Sequence, residues 1–189
     1  MALLVVRSGG PADYPGTVTS ASARTTYDTD LLDVLSRRVL VADGAMGTQL
    51  QAAELTLDDF NQLEGCNEIL NETRPDVIEE IHRQYLEAGA DIIETNTFNA
   101  QAISQADYGL ESLVRELNIA AAQCARRAIE QTGKKAFVAG AIGPMSKTLS
   151  ISRDVNDPAS REVTFDQVKN AYREQVEALI EGGVDLLLV

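Results

Sequence analysis

Apolar positions in this chain come in two spacings, short unbroken runs and longer stretches where they recur every three or four residues. The runs, taken with the polar residues at their ends, lie in Val39 to Ala42, Asp91-Ile92-Ile93-Glu94-Thr95, Ala136-Phe137-Val138-Ala139 and Val184 to Val189. Runs of this length predict strands of a parallel sheet buried on both faces. Helices are predicted between them. Thr73-Arg74-Pro75-Asp76 is a helix start, with Thr73 as cap and Pro75 in the first turn, and Val77, Ile78, Ile81, Tyr85 and Leu86 form the apolar face up to a stop at Gly89. Leu113, Leu117, Ala120, Ala121, Cys124, Ala128 and Ile129 form the next face, ending near Gly133. Thr164-Phe165-Asp166-Gln167 caps a third helix on Val168, Tyr172, Val176, Leu179 and Ile180. A short helix on Leu31, Leu32, Val34 and Leu35, capped by Thr29 or Asp30, precedes the first run. The segments Leu86 to Ile93 and Ile180 to Leu187 match position for position as helix end, glycine stop and strand start.

This βα alternation predicts an α/β fold, which a doubly wound sheet and a (β/α)8 barrel both satisfy. Four strands are visible, whereas a whole barrel has eight units in about 250 residues. The pattern ends on an apolar strand at Val189, so a truncated chain with an exposed sheet edge is expected. Residues 1–29 are read as a disordered extension, because Ser8 to Thr29 is rich in Ser, Thr, Ala, Gly and Pro without apolar periodicity. Residues 30–189 form the folded unit.

Charge narrows the function. Lys and Arg number 16 against 29 Asp and Glu, a net charge of −13, which excludes a nucleic-acid binder and disfavours anionic membrane surfaces. No apolar run reaches the roughly 20 residues of a membrane span, and no signal peptide is recognisable, so a cytoplasmic protein is expected. Cys66 and Cys124 form no CxxC pair.

In parallel α/β folds chemistry gathers on the loops that leave the strands. Asp43-Gly44-Ala45-Met46-Gly47 places a carboxylate beside close-approaching backbone N–H groups, suited to an ammonium and a carboxylate, although such glycine turns also serve packing. Glu94, Asn96 and Asn99 form a second cluster, in which strand alternation aims Glu94 and Asn96 to one side and in which Asn also serves as turn former. Gly140-Ala141-Ile142-Gly143-Pro144 lacks phosphate-loop spacing and reads as a shaped turn. Ser146 to Arg161 has the length of a lid; its Asp154, Asn156 and Asp157 lack the glycine and glutamate of a calcium loop. His82, the single histidine, reads as a helix surface residue and Cys124 as core, with Cys66 in a loop. One His and two distant Cys make no closed zinc site.

Four motifs in order, Val41-Ala42-Asp43-Gly44-Ala45-Met46-Gly47-Thr48, Asn71-Glu72-Thr73-Arg74-Pro75-Asp76-Val77-Ile78, Glu94-Thr95-Asn96-Thr97-Phe98-Asn99 and Gly140-Ala141-Ile142-Gly143-Pro144, resemble the homocysteine S-methyltransferase family. The resemblance runs from about Leu31 to Val189 and is nearest to the N-terminal module of its cobalamin-dependent, methionine-forming branch, whose long insert Ser150 through Phe165 resembles. It implies the first four units of a (β/α)8 barrel, and a methyl transfer from methylcobalamin to homocysteine bound as a zinc thiolate. It also implies that Asp43 holds the substrate ammonium, that the backbone from Gly44 through Ala45 and Met46 to Gly47 approaches its carboxylate, and that Glu94 and Asn96 line the pocket. The family's zinc cysteines lie in Gly-x-Asn-Cys and Gly-Gly-Cys-Cys motifs that are not in this sequence, so no metal ligand is assigned and no cofactor is expected to bind this chain tightly alone. The implied partners are homocysteine and the methyltetrahydrofolate and cobalamin modules of a longer protein. The alternatives are a cobalamin-independent enzyme using S-methylmethionine or betaine, and a non-catalytic binding fragment.

Overall fold

A computed structural model describes residues 4–6, 31–150, 152 and 156–189. Three strands of the sheet run parallel, β2 (Ile92–Glu94), β3 (Phe137–Ala141) and β4 (Leu186–Leu188), with β3 between the other two. Glu94 stands opposite Ala139, and Ala139 opposite Leu186. Within the expected extension, Leu4–Val6 forms β1, antiparallel to β4, with Leu4 opposite Leu188 and Val6 opposite Leu186. The remainder of that segment, Ser8 to Thr29 included, lies outside the described residues, as does Asp154.

The first predicted strand requires correction. Its contact with β2 is an isolated parallel bridge between Ala42 and Ile92, extended by the Asp43 N–H to the Ile92 carbonyl at 2.9 Å. Val39 is 84% exposed and Val41 58%, because no described strand covers their outer side.

Helices pack on one face of the sheet. α4 (Pro75–Ala88), α6 (Val114–Thr132) and α7 (Phe165–Gly182) bury Leu86, Ala122, Ala125, Ile129 and Leu179 against Ile93 and Val138. The alternate strand residues Phe137, Ala139 and Leu186 face the other way and meet Leu31 of α1 (Leu31–Leu35). The two matched segments both end their helices on a glycine in the left-handed region, Gly89 at φ +106° and Gly183 at φ +96°. Each is followed by an aspartate that accepts a backbone N–H from the neighbouring chain segment and pairs with an arginine. Asp91 takes the Val41 N–H and Arg38, and Asp185 takes the Val138 N–H and Arg126.

Several helix details differ from expectation. Thr73 does not cap α4; it closes the short helix α3 (Leu70–Thr73), its hydroxyl bonds back to the Ile69 carbonyl, and Arg74 takes the cap position. Thr164 and Gln167 do form a reciprocal capping box on α7. The buried face of α7 is Val168, Ala171, Gln175, Ala178 and Leu179, and Ile180 is exposed. The small residues turn inward because α6 and α7 approach closely, at Gly182 against Ala122. Leu113 is likewise exposed, and Val114 takes its place in the core. His82 is fully buried rather than on the surface, in line with Ile78 and Leu86 one turn to either side. Desolvation brings its pKa down to about 4, so it is neutral at pH 7.

Candidate functional site

The pairing that leads from Val41 to Asp43 delivers the Asp43 side chain to the carboxyl end of β2. There Oδ2 accepts the backbone N–H of Glu94 at 3.0 Å, while Oδ1 is buried without a hydrogen-bond partner among the described residues. Burial, with the neighbouring Glu94 charge adding to it, pushes the Asp43 carboxyl up to about 7. Glu94 is half-buried and also raised by desolvation. Two carboxylates thus converge on one strand end, one of them with a desolvated acceptor, an arrangement that favours a cation able to donate hydrogen bonds.

Downstream of Glu94 the chain is pinned residue by residue. Thr95 donates its N–H to the Ala139 carbonyl, and its hydroxyl oxygen accepts the Ala141 N–H, which stitches the end of β2 to β3. Asn96 is buried and donates to the Asn67 carbonyl at 2.8 Å, while Asn71 donates to the Asn96 carbonyl at 2.9 Å. The Thr97 hydroxyl donates to the Ala141 carbonyl, and Gln175 of α7 donates to the Thr97 carbonyl. The Phe98 carbonyl accepts the Gly143 N–H at 2.9 Å. Asn99 donates its N–H to the buried carboxylate of Glu68 at 3.0 Å; burial raises the Glu68 pKa. Asn99 therefore fixes the loop through its backbone, just ahead of the short helix α5 (Ala102–Gln105).

The glycine-rich turn is open. Ala45 precedes α2 (Met46–Ala52), so Met46 and Gly47 lie in a first turn whose N–H groups have no intrahelical acceptor. Gly44 faces the Tyr85 ring, and the Tyr85 hydroxyl donates to the Ala45 carbonyl at 3.3 Å. On the β3 exit, Gly143 allows backbone contact with Phe98: a Cβ there would lie 2.4 Å from the Phe98 carbonyl oxygen.

Asp43, Glu94 and Asn96 therefore gather at the carboxyl end of β2, with the Gly44 to Gly47 turn leading directly away from Asp43. Sequence reasoning left Glu68, Asn67 and Asn71 without a role in the site. A polar residue inside a run such as Cys66-Asn67-Glu68-Ile69-Leu70-Asn71 carries no periodic signal, and only the packing of that run under the β2 exit reveals its purpose.

A metal centre is not built by these residues. Among the described residues no three His, Cys, Asp or Glu side chains cluster to hold an ion. Cys66 and Cys124 are both buried, in separate clusters, and desolvation pushes each thiol up to about 11. The described residues do not fit zinc. No described helix is long and apolar enough to cross a membrane.

A family model described as homocysteine S-methyltransferase matches residues 40–189. Methionine synthase of Mycobacterium tuberculosis (strain ATCC 25618 / H37Rv) is 49% identical over 173 residues, and that of Mycobacterium leprae (strain TN) 47% over 173. These alignments cover 90% of this chain and 14% of either relative, so the chain spans about one seventh of their length. Among solved structures, the oxidized form of the homocysteine methyltransferase MmuM from Escherichia coli superposes with a TM-score of 0.63 at 27% identity, over 83% of this chain and 55% of that one. Its metallated form superposes equally well, at 0.63 and 26% identity over 82% and 55%.

Proposed function

Because this chain belongs to the homocysteine S-methyltransferase family, we propose that it binds homocysteine by its amino-acid end, as the homocysteine-binding module of a methionine-forming methyltransferase. The buried, unpartnered Oδ1 of Asp43 carries this reading. A substrate ammonium supplies the missing donor, and a charge-assisted hydrogen bond of this kind contributes about 1.5–3 kcal/mol. Glu94 adds a second negative charge at the same strand end. The N–H groups of Met46 and Gly47, with the Gly44 and Ala45 backbone, receive the substrate carboxylate. Asn96, held by Asn67 and Asn71, forms pocket wall rather than a free ligand.

On this reading residues 30–189 are the first four β/α units of a (β/α)8 barrel in a cytoplasmic enzyme. The identity of 47–49% to methionine synthases, against 26–27% to MmuM, supports methylcobalamin as donor over S-methylmethionine or betaine. Zinc, where the complete enzyme binds it, would favour the thiolate form of homocysteine at neutral pH. Its ligands, and the cobalamin and methyltetrahydrofolate modules, are assigned to parts of the relatives that this chain does not span.

The test is an amide-resolved NMR titration of the chain with homocysteine to about 10 mM, the range where millimolar binding is visible. Shifts concentrated at Asp43 to Gly47 and Glu94 to Asn96, and lost in Asp43→Asn, are expected. No shift at these positions, or the same shifts in Asp43→Asn, would overturn the assignment.

A further inference from the structure

Helix α7 reaches both strand-exit loops with two side chains one turn apart. The Tyr172 hydroxyl donates to the Gly143 carbonyl at 2.9 Å, and Gln175 Nε2 donates to the Thr97 carbonyl at 2.8 Å. Between these two anchors the loops hold each other, through the Gly143 N–H on the Phe98 carbonyl and the Thr97 hydroxyl on the Ala141 carbonyl. Gln175 is fully buried, and its Oε1 has no partner among the described residues. A buried amide that leaves its own acceptor unpaired lowers stability, whereas a leucine would fill the same face of α7 with no polar atom to satisfy. The glutamine at this position carries that cost. What the amide gains is the Thr97 carbonyl, which lies between Asn96 and the exposed Phe98.

Neither residue touches the Asp43 and Glu94 pair. Their effect passes through the backbone: Thr97 stands three residues beyond Glu94, and Gly143 sits across from Phe98. We propose that Tyr172 and Gln175 are positioning residues, a two-point clamp by which α7 fixes the β2 and β3 exit loops in register and so sets the shape of the pocket wall beyond Glu94. The effect on ligand affinity rests on the homocysteine-binding reading above; the clamp itself does not.

Tyr172→Phe and Gln175→Leu keep side-chain volume and remove one anchor each. Amide hydrogen exchange of the full chain reads the clamp directly. In each variant the Gly143 amide is expected to exchange at least about tenfold faster, while the amides of α4 and α6 keep their rates. The homocysteine dissociation constant is expected to rise about five- to tenfold, with the urea midpoint of Tyr172→Phe close to the parent's. Unchanged Gly143 exchange in both variants would overturn the proposal. So would a speed-up shared equally by α4 and α6, the mark of general destabilisation. If the parent shows no homocysteine binding, the pocket assignment fails, and the exchange rates still decide the clamp.

Discussion

Asp43 and Glu94 are joined through backbone and side chain at once: Oδ2 of Asp43 accepts the Glu94 N–H at 3.0 Å, and the two carboxylates share the end of β2. The bond spends one oxygen of Asp43 on the scaffold. It leaves the other, buried and unpartnered, for a ligand.

That burial sets a pH dependence of stability. The Asp43 carboxyl is raised from 3.8 to about 7 on folding, so the native state holds a proton that the unfolded chain releases between those values. The contribution is fully present below about 4 and is lost as pH rises through about 7. Its size is of order 2–4 kcal/mol. Asp43→Asn removes it, so urea denaturation should show the variant gaining on the parent from pH 5 to pH 8.

Gly143 should tolerate no side chain. In Gly143→Ala the Cβ lies 2.4 Å from the Phe98 carbonyl oxygen and 2.7 Å from its ring, and backbone cannot yield as a flexible side chain does. A loss of about 3 kcal/mol is expected by chemical denaturation.

The α6–α7 contact predicts a coupled pair. A Cβ at Gly182 meets the Ala122 Cβ at 2.7 Å, so Gly182→Ala should destabilise despite the roughly 1 kcal/mol that alanine gains in a helix. Combining it with Ala122→Gly relieves that clash. The double variant should be more stable than the sum of the singles by about 1 kcal/mol, read from a double-mutant cycle.

The two repeated aspartates should differ in weight. Arg126 and Asp185 are 18% and 11% exposed, and Arg126 also donates to the Gly183 carbonyl; Arg38, which pairs with Asp91, is 48% exposed. Asp185→Asn should cost about 3 kcal/mol and Asp91→Asn about 1 kcal/mol or less. Thermal unfolding of the two variants gives the ranking.

Much of this architecture was legible in the chain. Gly89 and Gly183 marked helix ends because each follows an amphipathic stretch and precedes an apolar run, and Thr164 with Gln167 announced the start of α7. That Asp43, Glu94 and Asn96 come together at one strand end was legible from their places at or just beyond the ends of strand-like runs. The misreadings share a cause, since periodicity records residue type and not what neighbours cover. His82 was assigned to the surface for being polar, although it falls four residues from both Ile78 and Leu86 on the buried stripe. Gln175 is the same case, a polar residue among Val168, Ala171, Ala178 and Leu179, and the choice of the larger Tyr172, Val176 and Ile180 rotated the face. Val39 to Ala42 reads as a strand buried on both faces, yet a single pairing partner leaves Val39 and Val41 exposed. The supporting bonds of Asn71, Glu68 and Gln175 to the β2 exit are long-range contacts that no local pattern encodes.

The central claim is that the Asp43 carboxylate receives the ammonium of homocysteine, and proton release tests it most directly. At pH 6 the free carboxyl, with a pKa of about 7, is mostly protonated, and it must ionise to pair with a cation. Titration calorimetry in two buffers of different ionisation enthalpy should find close to one proton released per homocysteine bound at pH 6, falling toward zero above pH 8, with no release from Asp43→Asn. Binding without proton release at pH 6, or with the same release from Asp43→Asn, would contradict the account.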